Sequence, residues 1–295
     1  MKCYLPKNSS FCEGVHNAIE IAYRNANNTT YMFGEIVHNP IVIEDLLNKG
    51  IHLAKTLDDI PDTPKSKVLI RAHGITPEIY RKLQAKKVEV IDKTCPRVKK
   101  VHELVKNASD RGLDIVLIGN PNHPEVIGTV GWINTKVFVI KDIADAMRIV
   151  PQASFSQSGI CMVAQTTYNK EKYEEIYRYF LQFDIHIEYN NTICNATAER
   201  QNEIRLLSKE VDGFIIIGGK ASSNVSKLYK IASEVCSNTQ LIENADEMDF
   251  SKIATLDKVV IASGASTPQR TINEVIEKIE KICEELKIDF ILRRL

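Results

Sequence analysis

Short apolar runs alternate with amphipathic stretches along the whole chain. Runs such as KVLIRAHG, LDIVLIGN, GICMVAQTT, VDGFIIIGG and DKVVIASG are rich in valine and isoleucine and end in small or polar residues. Between them lie stretches with helical spacing, among them PIVIEDLLNKG, TPEIYRKLQAKK, RVKKVHELVKNASDRG and ATAERQNEIRLLSKEV. A parallel strand pair needs a crossover long enough to hold a helix, so this alternation predicts α/β architecture with mainly parallel sheets. Strands apolar at successive positions, such as Phe214 to Ile217, predict sheets covered by helices on both faces. A chain of 295 residues has room for two domains or three small ones.

A threefold pattern emerges when the strand ends are compared. One third offers EIVHNP and LIRAHGITP, the next LIGNPNHPE and MVAQTT, the last IIGGKASSN and VIASGASTP. Ligands of open α/β sheets bind beyond the carboxyl ends of the strands. Thirds arranged about a pseudo-threefold axis would bring all six ends to one centre.

Each third also contributes one isolated cysteine at the start of a helical pattern. Cys12, Cys95 and Cys194 are separated by 83 and 99 residues, far wider than the spacing of a zinc knuckle. Three single thiols read as one assembled site. Three thiolates on a four-iron cluster would leave one iron without a protein ligand and open to substrate. Cys3, Cys161, Cys236 and Cys283 lie in apolar or helical contexts and are expected to be buried packing.

Lysine plus arginine (38) balances aspartate plus glutamate (38), so no global charge favours nucleic acid or an anionic membrane. Met1 is followed by no secretory-type apolar run, and the longest apolar stretches fall well short of the ~20 residues of a membrane helix. The expected location is the cytoplasm. There, seven cysteines suggest metal or redox chemistry rather than disulfides. At the carboxyl end, Ile272, Val275, Ile276, Ile279, Cys283 and Leu286 form the apolar stripe of a helix that follows Pro268. The tail DFILRRL reads as a short appendage with solvated arginines.

His38, His73 and His123 each follow a strand and could donate to a phosphate or ligate metal. Glu125, two residues after His123 and held by Pro124, is a candidate proton donor; the alternative is an acid answering a helix dipole. Ser222, Ser223, Asn224 and Ser266 could bind phosphate oxygens at helix starts, or simply cap those helices. Thr166 or Thr167 could touch a substrate alcohol or cap a helix. His16, His52, His102 and His186 lie within helix or strand patterns and read as structural or exposed.

The segments FCEGV, GEIVHN, AHG, TCP, HPEVIGTVG, AQTT, TIC, SSN and GASTP occur in this order from Cys12 to Pro268. Together they resemble the motifs of the 4-hydroxy-3-methylbut-2-enyl diphosphate reductase, or LytB, family. The resemblance implies a trefoil of three pseudo-equivalent α/β domains around a central [4Fe-4S] cluster. The domains would be 13–95, 96–192, and 1–12 with 193–281, followed by a tail at 282–295. The resemblance puts Cys12, Cys95 and Cys194 on the cluster. It puts His38, His73, His123, Ser222, Ser223, Asn224 and Ser266 around a diphosphate, and Glu125 and Thr166 near the substrate hydroxyl. The implied reaction removes an allylic hydroxyl with two electrons and protons, giving isopentenyl and dimethylallyl diphosphates in the last step of the non-mevalonate isoprenoid pathway. The implied electron donor is a ferredoxin or flavodoxin, and no nucleic-acid or membrane partner is expected. Glu13, Ala221, Asn191 and Glu199 depart from the family pattern without replacing a proposed ligand.

Three other readings are less favoured. An iron–sulfur hydro-lyase would use an open iron without consuming electrons, but does not account for the diphosphate-like loops. An iron–sulfur sensor would need a DNA-binding segment or basic patch, and none is evident. A structural zinc protein would be separated by metal analysis.

Overall fold

In a computed structural model that describes residues 1–295, the chain forms three sheets, every pairing parallel. The third sheet takes β1 (Lys2–Leu5) from the amino terminus. The first comprises β2 (Thr30–Phe33), β3 (His52–Ala54), β4 (Lys67–Ile70) and β5 (Glu89–Asp92), in the order β3-β2-β4-β5. The second comprises β6 (Asp114–Ile118), β7 (Val137–Ile140), β8 (Ile160–Ala164) and β9 (Ile187–Tyr189), in the order β7-β6-β8-β9. The third adds β10 (Gly213–Ile217), β11 (Thr239–Ile242), β12 (Lys258–Ser263) and β13 (Ile291–Arg294), in the order β11-β10-β12-β1-β13.

The helices are α1 (Glu13–Arg24), α2 (Pro40–Asn48), α3 (Pro77–Ala85), α4 (Pro96–Asp110), α5 (Pro124–Val130), α6 (Ile143–Ile149), α7 (Lys170–Phe180), α8 (Asn195–Leu207), α9 (Ser223–Val235) and α10 (Gln269–Glu285). Four of them open on proline, whose missing N–H costs nothing in the first turn. No helix is long and apolar enough to cross a membrane.

Two compact units divide the chain. One comprises Met1–His16, Val37–Asp45 and Asn195–Leu295 and holds the third sheet. The other comprises Asn17–Ile36 and Leu46–Cys194 and holds the first two.

The threefold pattern of the sequence reappears in the strand order. In each sheet the strand that opens a consecutive trio (β2–β4, β6–β8 or β10–β12) lies between the second and the third of that trio. The switch point at which ligands bind therefore falls beyond the carboxyl ends of the first and third strands. The fourth place is held by β5, β9 or, in the third sheet, β1. Cys95, Cys194 and Cys12 are the cysteines that follow those fourth strands, and each immediately precedes a helix.

Side-chain alternation explains why the sheet strands are apolar throughout. Ile215 and Ile217 of β10 pack with Ile272, Val275 and Ile279 of α10, whereas Phe214 and Ile216 pack with Val225 and Leu228 of α9. Both faces are covered, so neither parity can be polar. Truncating one of these buried residues, such as Ile216→Ala, costs about 2–5 kcal/mol. Leu117 and Val163 pack likewise against Val101 and Val105 of α4, and Val68 and Ile70 lie with Leu83 of α3.

Three expectations need correction. The tail is not an appendage: β13 pairs with β1 along Lys2↔Ile291 to Leu5↔Arg294, so the chain's two ends form adjacent strands. Its backbone bonds fix it even though Arg293 and Arg294 remain exposed. Leu286 lies outside the buried stripe of α10, because it caps the end of the helix and is 56% exposed. Cys236 is not buried; it caps α9 and its thiol donates to the Asp212 carbonyl at 3.2 Å.

Candidate active site at the strand ends

In the unit that holds the third sheet, the loops after β1, β10 and β12 converge. The Ser10 amide donates to Ser263 Oγ at 2.8 Å, and the Cys12 amide donates to the Ala265 carbonyl at 3.1 Å. These bonds pin Cys12 to the carboxyl end of β12. Arg200 of α8 adds a third tie, its Nη2 donating to the Ser10 carbonyl at 2.8 Å. Ser10 itself has a φ of 69°, a left-handed conformation rare outside glycine, so it depends on these partners.

The segment carrying His38 is seated on the same loops. Asn39 Nδ2 donates to the Ser266 carbonyl at 2.8 Å. Gly219 lies so close to His38 that a Cβ there would fall 2.4 Å from the His38 carbonyl oxygen. Ser222 caps α9, its Oγ accepting from the Val225 amide at 3.5 Å, and Ser223 opens the helix. Ser222, Asn224 and Ser266 are all buried. Asn224 is 4% exposed, yet neither its Oδ1 nor its Nδ2 has a hydrogen-bond partner. A buried amide left unpaired costs about 1–3 kcal/mol. At the start of a 13-residue helix, where backbone N–H groups are unspent, such an amide suits a polar anionic ligand supplied from outside the chain.

The other unit gathers a second group. Glu125 is 3% exposed, and both of its oxygens are engaged by one residue. The Thr166 amide donates to Oε1 at 2.6 Å and the Thr166 hydroxyl donates to Oε2 at 2.8 Å. Thr166 also accepts the Cys194 amide on its carbonyl at 2.8 Å, so one residue joins a buried carboxylate to a candidate metal ligand. The neighbouring Thr167 hydroxyl instead accepts from Gln165 Nε2 at 2.9 Å, which separates the two threonines that the sequence left open.

His123 caps α5, its Nδ1 accepting from the Glu125 amide at 3.2 Å. With Nδ1 accepting, Nε2 is the nitrogen of this ring that can donate. The His73 ring lies edge-on to His123 with centroids 5.2 Å apart. The Cys95 amide donates to the Ala72 carbonyl at 3.0 Å, beside His73 in the chain, and Cys95 caps α4.

All seven cysteines are thiols rather than disulfides, and their surroundings separate them. Burial pushes the Cys3 thiol up to about 12 and the Cys161 thiol up to about 11, as expected of thiols that stay protonated and pack. Cys12, Cys95 and Cys194 are only partly buried, and each stands at the start of a helix, where the dipole favours negative charge. A half-buried sulfur at a helix start has the chemistry of an iron–sulfur ligand.

Sequence reasoning missed Asn39 and Arg200, which tie the loops of His38 and Cys12. The run HNP signals the first; nothing local signals the second, whose partner lies 190 residues away. Of the departures from the family pattern, Asn191 has a visible role: its Oδ1 accepts from the Ile193 amide at 3.2 Å, as an aspartate would.

Comparison with known proteins identifies the family. The profile of the LytB protein family matches residues 3–280. The chain is 41% identical over 286 residues to the 4-hydroxy-3-methylbut-2-enyl diphosphate reductase of Caldanaerobacter subterraneus subsp. tengcongensis, covering 96% of this chain and 98% of that protein. It is 39% identical over 284 residues to the protein of that name from Campylobacter fetus subsp. fetus, covering 96% and 98%. Among solved structures, it matches an (E)-4-hydroxy-3-methyl-but-2-enyl diphosphate reductase, described as the terminal enzyme of the non-mevalonate pathway, with a TM-score of 0.69 at 36% identity over 95% of this chain and 99% of that one. The E-1-hydroxy-2-methyl-but-2-enyl-4-diphosphate reductase of Plasmodium falciparum gives a TM-score of 0.89 at 29% identity, covering 99% and 91%. The family profile covers nearly the whole chain and includes every strand-end residue described above, so this chain belongs to the LytB protein family.

Proposed function

We propose that this chain is a cytoplasmic 4-hydroxy-3-methylbut-2-enyl diphosphate reductase, with one α/β domain built on each sheet. Cys12, Cys95 and Cys194 are the residues that would hold a [4Fe-4S] cluster, leaving one iron without a protein ligand. Such a cluster, when bound, supplies a Lewis-acidic iron and two electrons, received singly from a ferredoxin or flavodoxin.

The chain's own residues supply position and protons. Asn224, Ser222, Ser223 and Ser266 hydrogen-bond the diphosphate oxygens, and His38, His73 and His123 complete its shell. Charge-assisted bonds of this kind are about twice as strong as neutral ones, and they hold the far end of the molecule while its hydroxyl end reacts. When protonated, Glu125 donates to the Thr166 hydroxyl, the reverse of the bond in the structure, and Thr166 passes a proton to the allylic hydroxyl, which leaves as water. A second proton goes to either end of the allyl unit, giving isopentenyl or dimethylallyl diphosphate. Two electrons and two protons thus account for one alcohol converted to one alkene and one water. Burial of Glu125 keeps bulk solvent from short-circuiting the transfer.

The observation that carries this reading is the Glu125–Thr166 pair, with the Cys194 amide on the same threonine. It supports a proton source next to a metal ligand. The test is anaerobic: purified protein receives the allylic diphosphate and reduced methyl viologen. Two equivalents of reduced dye oxidised per substrate, a reaction lost in Cys95→Ser and Glu125→Gln, is the expected result. No dye oxidation by protein with an intact [4Fe-4S] spectrum rejects the reading.

A further inference from the structure

The turn that follows His73 is clamped from two sides. Gly74 has a φ of +76°, and a Cβ on it would fall 2.7 Å from Cε1 of His102, so the imidazole rests directly on the turn. His102 belongs to α4 and is 4% exposed. Burial pushes it down to about 4, so the ring is uncharged at neutral pH. Its other neighbour is Trp132, stacked at 5.3 Å between centroids with 20° between the planes.

Trp132 closes the clamp. Its indole N–H donates to the Ile75 carbonyl at 3.2 Å. Trp132 follows Gly131, the carboxyl-terminal cap of α5, the helix whose first turn carries Glu125 and whose amino-terminal cap is His123. Two glycines let this end of the helix approach the turn. A Cβ on Gly131 would fall 2.6 Å from the Thr76 side chain, and one on Gly128 would fall 3.5 Å from the Gly74 backbone. Gly74 to Thr76 are thus held between α5 and His102. His73 is the next residue back along the chain, and its ring stands 5.2 Å from that of His123.

We propose that Trp132 and His102 are positioning residues that set His73 beside His123 and so govern affinity for the diphosphate without touching it. The argument rests on His73 and His123 being diphosphate ligands. A short, fixed separation of two imidazoles lets both donate to one phosphate group at little ordering cost. Loosening the turn spends binding free energy on re-forming that geometry. The reacting end is served by Glu125 and Thr166, which are bonded to each other through the Thr166 amide and hydroxyl.

Three variants test this on cluster-loaded protein under argon. Trp132→Phe keeps an aromatic ring but removes the N–H; Gly131→Ala, at a helical φ of −64°, pushes on Thr76 without removing any group. His73→Leu is the control. The readouts are the Kd of inorganic diphosphate by calorimetry, KM and kcat for the allylic diphosphate, and the cluster absorption spectrum. Loss of one ordinary hydrogen bond corresponds to roughly fivefold in an equilibrium constant. Trp132→Phe is therefore expected to raise Kd and KM by about fivefold, with kcat within about twofold of the parent and the cluster spectrum unchanged. Gly131→Ala should move Kd and KM in the same direction, and it decides the matter if the tryptophan variant does not fold. If His73→Leu weakens diphosphate while both clamp variants bind it like the parent, or lower kcat alone, the positioning role is overturned. If His73→Leu leaves Kd unchanged, the assignment of His73 as a ligand fails instead, and the proposal with it.

Discussion

Replacing Asn224 by alanine should make the protein more stable and worse at binding diphosphate. The side chain is 4% exposed and both of its polar atoms lack partners within the chain. Removing an unpaired buried amide relieves about 1–3 kcal/mol. Alanine also improves the first turn of α9 by up to roughly 0.7 kcal/mol in helix propensity. Against this stands the lost burial of one side-chain carbon, about 0.8 kcal/mol. The balance is a gain of about 1 kcal/mol or more, worth about 2–4 °C in a chain of this size. The same amide, given a phosphate oxygen, contributes a charge-assisted bond of about 1.5–3 kcal/mol, so diphosphate affinity should fall by roughly 10- to 150-fold. Urea denaturation of the loaded protein under argon, with and without inorganic diphosphate, reads both effects. The parent should gain stability from the ligand, and the variant should start higher and gain far less. A variant destabilised by more than about 1 kcal/mol would show that Asn224 serves the fold, and an unchanged Kd would remove it from the binding shell.

Other substitutions probe the remaining groups. Glu125→Gln can still accept the Thr166 amide and offer its NH2 to the Thr166 hydroxyl, so iron content should hold while turnover drops by about 10²-fold or more; turnover within threefold of the parent would free Glu125 from any proton role. Cys12→Ser should lower iron and sulfide per chain and abolish turnover, and a normally loaded, active variant would falsify the ligand assignment. Burial holds the His102 pKa at about 4 against the ordinary 6.5, with the charge of Asp92 pulling it up and that of Lys99 pushing it down. The unfolded chain therefore binds the extra proton first. The cost of His102 to stability is absent above about pH 6.5, grows as pH falls, and levels off near pH 4 at about 3 kcal/mol. His102→Phe should flatten this part of the acid limb, measured as the difference in urea midpoint from the parent at pH 7 and pH 4.5; parallel limbs would mean that the imidazole is not held neutral.

Much of the architecture could be read from period and punctuation. Successive apolar residues in β10 require two covered faces, and the helical spacing of α10 names its buried stripe up to Cys283. What the sequence could not reveal is contact across distance. The tail reads as solvated because Arg293 and Arg294 dominate it, yet backbone pairing with β1 needs no apolar side chain. Candidate site residues could be named wherever residue type limits the chemistry: three isolated cysteines, three strand-end histidines, and a carboxylate beside a proline. The site was illegible where an ordinary residue supports another, as Arg200 supports Ser10 and Trp132 the turn after His73. Arginine and tryptophan in helical or loop contexts have many uses, and only the fold selects among them.

The strand order of the third sheet has a consequence for synthesis. The first two sheets use only residues 30 to 189, so each can close soon after its last strand is made. The amino-terminal strand is translated first but must wait for β12, about 255 residues later, before it has a neighbour. Until then Cys12 hangs on an unpaired strand, and loop closure over that span is slow. If Cys12 holds a metal group as proposed, that site is completed only after β12 has been made. Pulsed thiol labelling during refolding should find Cys12 the last of the three sulfurs to become protected; early protection would mean that β1 is captured before its sheet exists.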